Sequence, residues 1–523
     1  MLIGDIVRVN AKRFKDKPAF KDEEKTLTFR QTYERTNALI HALRDMGVKK
    51  GDRVALILYN CVEYSELLFA LPKAGFVAVT LNYRLVVREL EYLINNSESN
   101  TVIYDVEIEN TIEELRGRLE NVKNYIVVDH RGQSKADALD YEKLIRNYPS
   151  TEVSVPADDS DVAYLVYSSG TTGLPKGAML THKNIMTNLF NQVFEVKPKE
   201  DDKILNLALM YHLAGVNQMM LFFFCGGLSI TLRQFDVVAV LETIKAEKPN
   251  VLHMVPSMQN MVVNHPDVGK YDLSSTELMI YGASPILRSQ LEELIEIFGC
   301  DFIQCAGLTE AGGVLVMLRP EDHVVKGPEH IIRRLSSAGR EVKLTEVKIV
   351  DEEGNEVPPD TRGELIGKGD NVMKGYWKLP EATAETIVDG WIHTGDICLR
   401  DEGGYVYYVD RVKDMVCRGG ENVYPREIEE VIGTNPSVRE VAVIGVPDER
   451  LQEEVMAVVV LKRGMKTTAE EIVKLCKKNL AAYKRPRYVE FLDKLPKSEA
   501  GKVLKREIKK QYEGVTLPPK IKV

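Results

Sequence analysis

Two hydrophobic periods alternate along the middle of the chain. Between residues 161 and 310, short runs rich in β-branched and aromatic residues (DVAYLVYSS, DKILNLAL, GLSITL, NVLHMV, LMIYG and DFIQCAG) read as strands. Separating them, HKNIMTNLFNQVFEV, DVVAVLETIKAEK and ILRSQLEELIEIFG carry apolar residues at helical spacing. Alternation of this kind predicts parallel strands covered by helices on both faces. The first 150 residues continue it, with DRVALILYN, then YSELLFALPKAG, then VAVTL. From about 340 to 410 the texture changes to short strands joined by EEGN and EGG turns, which predicts an antiparallel β subdomain. After Asp410 two helices and two strands form a smaller unit. The expected fold class is α/β: a large N-terminal domain of parallel-sheet layers with a β subdomain (1–410), then a small α+β domain (411–523).

Composition narrows the function. A chain of 523 residues exceeds one ordinary core, in keeping with two domains. A net charge of -9 offers no basic field to displace counterions from a nucleic-acid backbone. The basic runs YKRPR and KVLKREIKK read as solvated faces. Seven scattered cysteines, never in a C-x-x-C pair, form neither a disulfide framework nor a zinc pattern and suit a reducing compartment. No signal-peptide core opens the chain, and the most apolar window, MMLFFFCGGLSITL, is too short to span a bilayer and reads as buried core. A cytoplasmic enzyme or binding protein is expected.

One loop invites chemistry. YSSGTTGLPKG, Tyr167 to Gly177, is rich in glycine and hydroxyls and ends near a lysine, a composition suited to phosphate. It is no Walker loop: counted from Gly170, Pro175 stands where the second glycine belongs and Gly177 where Ser or Thr belongs. It follows the DVAYLVY strand, and the next element is predicted to be a helix starting near His182. That is a strand–loop–helix unit with the loop at the strand's carboxyl end, where α/β sheets bind ligands.

The loop has company. Together with THKNI, YGASP, GLTE, GELIGKG, GYWKLPEAT, GWIHTGD, DRVKD, GGENVYPREIE and LPKSEAGKVLKRE, it resembles the acyl-CoA synthetase branch of the adenylate-forming (ANL) superfamily over nearly the whole chain. The resemblance implies two steps: a carboxylate attacks the α-phosphate of ATP to give acyl-AMP and pyrophosphate, then the thiol of CoA displaces AMP. It implies that Ser168, Ser169, Gly170, Thr171, Thr172, Gly173 and Lys176 wrap the β- and γ-phosphates. Thr309 would bond the α-phosphate, and Glu310 with Thr171 would hold Mg²⁺. Gly282, Ala283, Ser284, Ala306 and Gly307 would border the adenine, and Asp396 with Arg411 would hold the ribose. Lys502 would bridge the two reacting anions, and Lys413 would be the hinge of a mobile C-terminal domain. Arg418, Gly419 and Gly420 would form the CoA face, with YKRPR assisting.

For the acid, His212 matches the family histidine at the mouth of the acyl pocket, with Tyr211, Val216, Tyr281 and Gly307 as lining. No aspartate in HLAGVNQ could hold a substrate ammonium, which favours an uncharged tail, a medium- or long-chain fatty acid ahead of a benzoate- or cinnamate-like aryl acid. The pattern is broken in places. Ala306 occupies the position of the usual adenine-stacking aromatic, so Tyr281 is expected to supply the missing face; Ala500 replaces a usual Ser or Thr before Gly501. Loading of a carrier protein, luciferase-like oxidation and a non-catalytic acyl or nucleotide sensor are the alternatives, the last disfavoured by Glu310, Asp396, Arg411 and Lys502 occurring together. The expected partners are small molecules, with room for peripheral membrane contact and a homodimer.

Overall fold

The structure is a computed structural model that describes the chain except residues 135, 169–173, 285, 412–413, 419–420, 449, 499–500, 513–514, 516, 518–519 and 522–523; the side chains of 410, 411 and 422 also lie outside the description. Two large sheets carry the N-terminal part. In the eight-stranded sheet, Val162–Ser168, Val77–Thr80, Arg53–Ile57, Thr101–Asp105 and Asn124–Val128 run parallel in that order. In the nine-stranded sheet, Asp301–Ala306, Leu278–Gly282, Val251–His253, Lys203–Asn206 and Leu228–Thr231 run parallel in that order. The Pro18–Lys21 strand extends it, pairing with a segment some 200 residues away that local periodicity could not point to.

The apolar window reads out as expected. Leu213–Cys225 is a helix with Phe222 and Phe223 fully buried. Phe223 stacks on Phe20 with centroids 4.9 Å apart and packs at 4.7 Å from both Phe29 and Phe69. Each such ring contributes roughly 1.5–3 kcal/mol by leaving water, so this helix pins the first strand and the two helices that follow it.

The phosphate-loop region departs from expectation. Lys176–Thr181 is a strand, antiparallel to Val162–Ser168 with Ser168 opposite Lys176, and the helix His182–Val196 starts only after it. The loop therefore closes a β-hairpin and does not lead directly into a helix. Gly177 interrupts the alternation that would have announced the strand. A side chain there would crowd Leu165 and the Tyr167 ring, at 2.9 and 3.3 Å from a Cβ. The helix itself is where its pattern put it, capped by the Thr181 hydroxyl, which accepts from the Asn184 amide at 3.2 Å.

The antiparallel subdomain comprises Thr345–Val350, Gly363–Gly369, Ile387–Val388, Trp391–Arg400 and Val406–Arg411. A separate sheet begins at Val416–Arg418. It is mostly antiparallel, with Tyr488–Phe491 parallel to Gln452–Leu461, and the helices Pro425–Gly433, Ala469–Asn479 and Lys505–Gln511 accompany it. Among the described residues, this unit meets the larger part through hydrogen bonds, ion pairs and an apolar contact: Ser289 donates to the Gly433 carbonyl at 3.3 Å, Gln290 to the Arg439 carbonyl at 2.7 Å, Lys462 pairs with Glu293 at 3.4 Å, Arg362 with Glu427 at 3.5 Å, and Leu287 packs against the core of the smaller unit.

Two buried histidines tie the large part together. His182 Nδ1 accepts from the Ile3 amide at 3.3 Å, and His253 Nδ1 lies 2.9 Å from Asn206 Oδ1. Burial pushes both down to about 4 from an ordinary 6.5. The unfolded chain then binds more protons than the fold between those values, so stability falls as pH drops through that window. Each histidine should cost about 2 kcal/mol of stability at pH 5 relative to pH 7. Thermal unfolding across pH 4–7 should show the decline, and His182→Gln/His253→Gln should flatten it.

Candidate active site

Three distant segments meet at one carboxylate. After the strand Asp301–Ala306, a tight turn (Thr309–Ala311) turns Glu310 inward, where it is 7% exposed. Ser168, at the end of its strand, donates to Glu310 Oε1 at 2.7 Å, and the Tyr376 hydroxyl donates to the same oxygen at 2.9 Å. Burial first and Glu310 second raise the Tyr376 phenol above its ordinary value, so it stays a donor. Lys176 lies over the Tyr376 ring, 5.1 Å from its centroid. The hairpin, the turn and the Gly375–Tyr376 strand thus present hydroxyls, a carboxylate and a lysine to one place. Ser169, Gly170, Thr171, Thr172 and Gly173 lie outside the described residues.

Beside this cluster the backbone is arranged for close approach. A Cβ at Gly282 would stand 2.0 Å from the Cys305 carbonyl oxygen, and one at Gly307 2.8 Å from the Gly313 oxygen, so both positions require glycine. Ala283 adopts φ 65°, a left-handed conformation that costs an L-residue about 1–2 kcal/mol and leaves this residue exposed. Ser284 is half-buried beside it, and Ala306 packs against the neighbouring β-subdomain core. Asp396 is 9% exposed on Trp391–Arg400, in register with Arg411 of the adjacent strand, and its amide donates to Thr394 Oγ1 at 3.1 Å.

Tyr281 corrects an expectation. It is fully buried among the helices on the far side of the nine-stranded sheet, its hydroxyl 3.0 Å from His323 Nε2 and its ring set edge-on to Phe302. It offers no face to an adenine, nor does it join Tyr211 and Val216, which belong to the other core. The strand's alternation, which a sequence cannot orient, turned it away.

The acid side of the site is built on His212. This half-buried residue occupies the N-cap of Leu213–Cys225, with Tyr211 (ring centroids 4.5 Å apart) and Val216 buried around it. Asn217 of the same helix donates to the Gly312 carbonyl at 3.0 Å, fastening it to the turn that carries Thr309 and Glu310. Lys502 comes from the other unit. It stands at the tip of a tight loop bridged at Lys497 and Val503, held by the Ser498 amide donating to the Lys502 carbonyl at 2.7 Å. Gly501, at φ 75°, lies so close to Ser257 that a Cβ would meet its Oγ at 2.0 Å. Docked there, the Lys502 charge reaches His212. Burial first, then this cation, push the imidazole down to about 4, leaving it neutral at physiological pH.

The expected CoA face is only partly described. Lys413, Gly419 and Gly420 lie outside the described residues. Arg418 is engaged internally: its guanidinium forms a bidentate pair with the buried Glu454 and donates to the Tyr483 carbonyl at 3.1 Å. In YKRPR, Lys484 binds Glu427 at 2.6 Å and Arg485 donates to the Leu480 carbonyl. These cations hold the small unit together, against the expectation of phosphate contacts. Conversely, Tyr376, Asn217 and Ser257 had no assigned role; GYWKLPEAT, part of the resemblance, was the signal for the first.

Residues 7–377 match the family model described as AMP-binding enzyme, and 427–502 match that of the AMP-binding enzyme C-terminal domain. The chain is 38% identical over 489 residues to a feruloyl-CoA synthase from Amycolatopsis sp., covering 93% of this chain and 94% of that one. It is 33% identical over 541 residues to a long-chain-fatty-acid–CoA ligase of Escherichia coli O6:H1 (strain CFT073), covering 98% and 94%. Among solved structures, the anthranilate CoA ligase AuaEII in complex with anthranoyl-AMP superposes with a TM-score of 0.90 at 28% identity, over 98% of this chain and 97% of that one.

The contact between the units makes a direct prediction. Lys502→Met, by removing the cation, should raise the His212 pKa above its present value of about 4 in an NMR titration. Gly501→Ala should raise it too, by lifting the loop off Ser257. An unchanged pKa in Gly501→Ala would show that the glycine does not control docking.

Proposed function

The chain belongs to the AMP-binding, adenylate-forming enzymes and is an acid–thiol ligase, and from that premise we propose that it joins an acid with an uncharged tail to CoA through an acyl-AMP. One observation carries the reading: with Gly501 seated on Ser257, the Lys502 charge of the C-terminal unit is felt at His212, on a helix fastened to the Glu310 turn. The first step brings a carboxylate up to a triphosphate, so the protein's contribution is charge compensation and alignment. Lys502 bridges the carboxylate and the α-phosphate, Thr309 bonds the latter, and neutral His212 positions the acid without competing for it as a second cation. Asp396 and Arg411 hold the ribose, and the loop from Ser168 to Lys176 receives the leaving pyrophosphate.

A divalent cation fits the residues present. Among the described residues no group of three or more His, Cys, Asp or Glu could hold one, so an ion at Glu310 would take most of its ligands from phosphate and water, as Mg²⁺ does. Glu310 and Thr171 would be its protein contacts, and it would neutralise phosphate charge. For thioester formation the small unit turns about Lys413, withdrawing Lys502 and presenting Gly419 and Gly420 to the pantetheine. The described contacts between the units, single hydrogen bonds, half-exposed ion pairs and the one leucine, support this.

The tail is uncharged because Leu213–Cys225 contains no ionisable side chain but Cys225, and Tyr211 and Val216 are buried beside His212. Relatives named for ferulate and for long-chain fatty acids keep both an aryl acid and the fatty acid expected from the sequence in view. No described helix is long and apolar enough to cross a membrane, and the cytoplasm is the proposed location.

ATP–pyrophosphate exchange across a panel of acids tests the chemistry. Lys502→Ala should lower adenylation by about 10²–10³-fold while largely sparing thioester formation from supplied acyl-AMP. Equal loss of both half-reactions would defeat the proposed division of labour. Glu310→Gln should depress exchange by about 10²-fold or more, as expected when a group aimed at developing phosphate charge is neutralised.

A further inference from the structure

Behind His212 lies a line of buried amides whose hydrogen bonds are incomplete. On the helix His182–Val196, Asn188 is 1% exposed and neither its Nδ2 nor its Oδ1 has a partner. One turn on, fully buried Gln192 has an unpartnered Nε2, and Gln218 on the His212-capped helix has an unpartnered Oε1. These two glutamines meet each other, Gln218 Nε2 donating to Gln192 Oε1 at 2.6 Å. The group belongs to the site. Asn188 Cβ lies 3.5 Å from where a Gly312 Cβ would be, on the turn after Glu310, and Asn217, adjacent to Gln218, bonds the Gly312 carbonyl.

Buried polar groups are almost always paired, and unpaired ones in a fold call for a ligand or a water. Other amides on the same helix show what pairing looks like here: Asn184 donates to the Asp370 and Val372 carbonyls, and Asn191 donates to Thr345. Asn188 and Gln192, the other two amides of this helix, are left short. Six residues separate His212 from Gln218, about 9 Å of helix rise. That distance matches an acid whose far end lies a benzene ring and two or three carbons, or an eight-carbon chain, from its carboxyl.

We propose that the acid activated here carries a hydrogen-bonding substituent, a hydroxyl or its ether, at the far end of its tail, received by Gln218, Gln192 and Asn188. This rests on the ligase reading above and names its substrate class: a polar-ended acid of modest length, in place of the plain alkyl chain expected from the sequence. An amide-lined site discriminates sharply against an analogue without the hydroxyl, because filling it with a methyl or a ring edge leaves the amides desolvated and unpaired.

The test uses the full-length protein and matched pairs of acids, 4-hydroxycinnamate against cinnamate and 8-hydroxyoctanoate against octanoate, with kcat/KM measured for acyl-CoA formation. At least one pair should favour the hydroxylated member by about 100-fold or more, and which pair does so tells ring from chain. Gln218→Leu should cut that ratio at least tenfold, mainly by improving the unsubstituted acid. Equal turnover within both pairs, or a preference for hexadecanoate over all four, overturns the inference and leaves the ligase reading standing; the amides would then be met by water. Absence of ATP–pyrophosphate exchange with every acid, hexadecanoate included, overturns the ligase reading itself. The wild-type comparison needs no variant to fold.

Discussion

Glu310 is the point on which the site depends. Burying a carboxylate is expensive, and hydrogen bonds from two neutral hydroxyls, Ser168 and Tyr376, meet only part of that cost. Both act on one oxygen, which fixes the orientation of the carboxyl group. A fold seeking stability alone would have set an arginine against it, as Arg319 is set against buried Glu195 elsewhere in the same chain. Under the proposed mechanism, a charge balanced by something that arrives with the substrates would turn an unfavourable feature of the fold into binding energy for them.

Around that node the two units divide the work by rigidity. The large part is locked by aromatic packing and by buried polar pairs such as Arg35 with Glu66, so the hairpin, the Glu310 turn and the His212 helix hold fixed relations. Among the described residues, the small unit touches it through isolated hydrogen bonds, partly exposed ion pairs worth at most about 1 kcal/mol each, the Leu287 side chain against its core, and the shape fit of Gly501 on Ser257. Such an interface specifies a docked geometry while remaining cheap to break. That combination is what the proposed mechanism asks of Lys502, docked for adenylation and withdrawn for thioester formation.

Much of this was legible in the amino-acid order. The helix His182–Val196 coincides with the run that predicted it, because a strong 3.6-residue pattern and a Thr181 cap agree. Motif alone singled out Ser168, Glu310 and Lys502, and the fold brings the first two into contact. What was not legible depends on facing and on distant pairing. Whether Tyr281 looks into the nucleotide site or away from it is decided by strand register. Whether Arg418 is free is decided by Glu454 across the sheet, thirty-six residues on. Lys176–Thr181 hid because a glycine needed for close packing erased its alternation.

The same limit explains the amides behind His212. In sequence, Asn188, Gln192 and Gln218 are ordinary polar residues on helices, three among several, and His212 drew attention because it matches the family histidine at the mouth of the acyl pocket. Their meaning comes from burial without partners, which costs about 1–3 kcal/mol for each group left unpaired. Leucines at those positions would make a tighter and more stable core. Retaining three amides there sacrifices stability, and the sacrifice is repaid only when a tail brings the missing hydrogen bonds. The selectivity of the site would then be set by what the empty fold lacks, just as the charge at Glu310 sets what must arrive with the nucleotide.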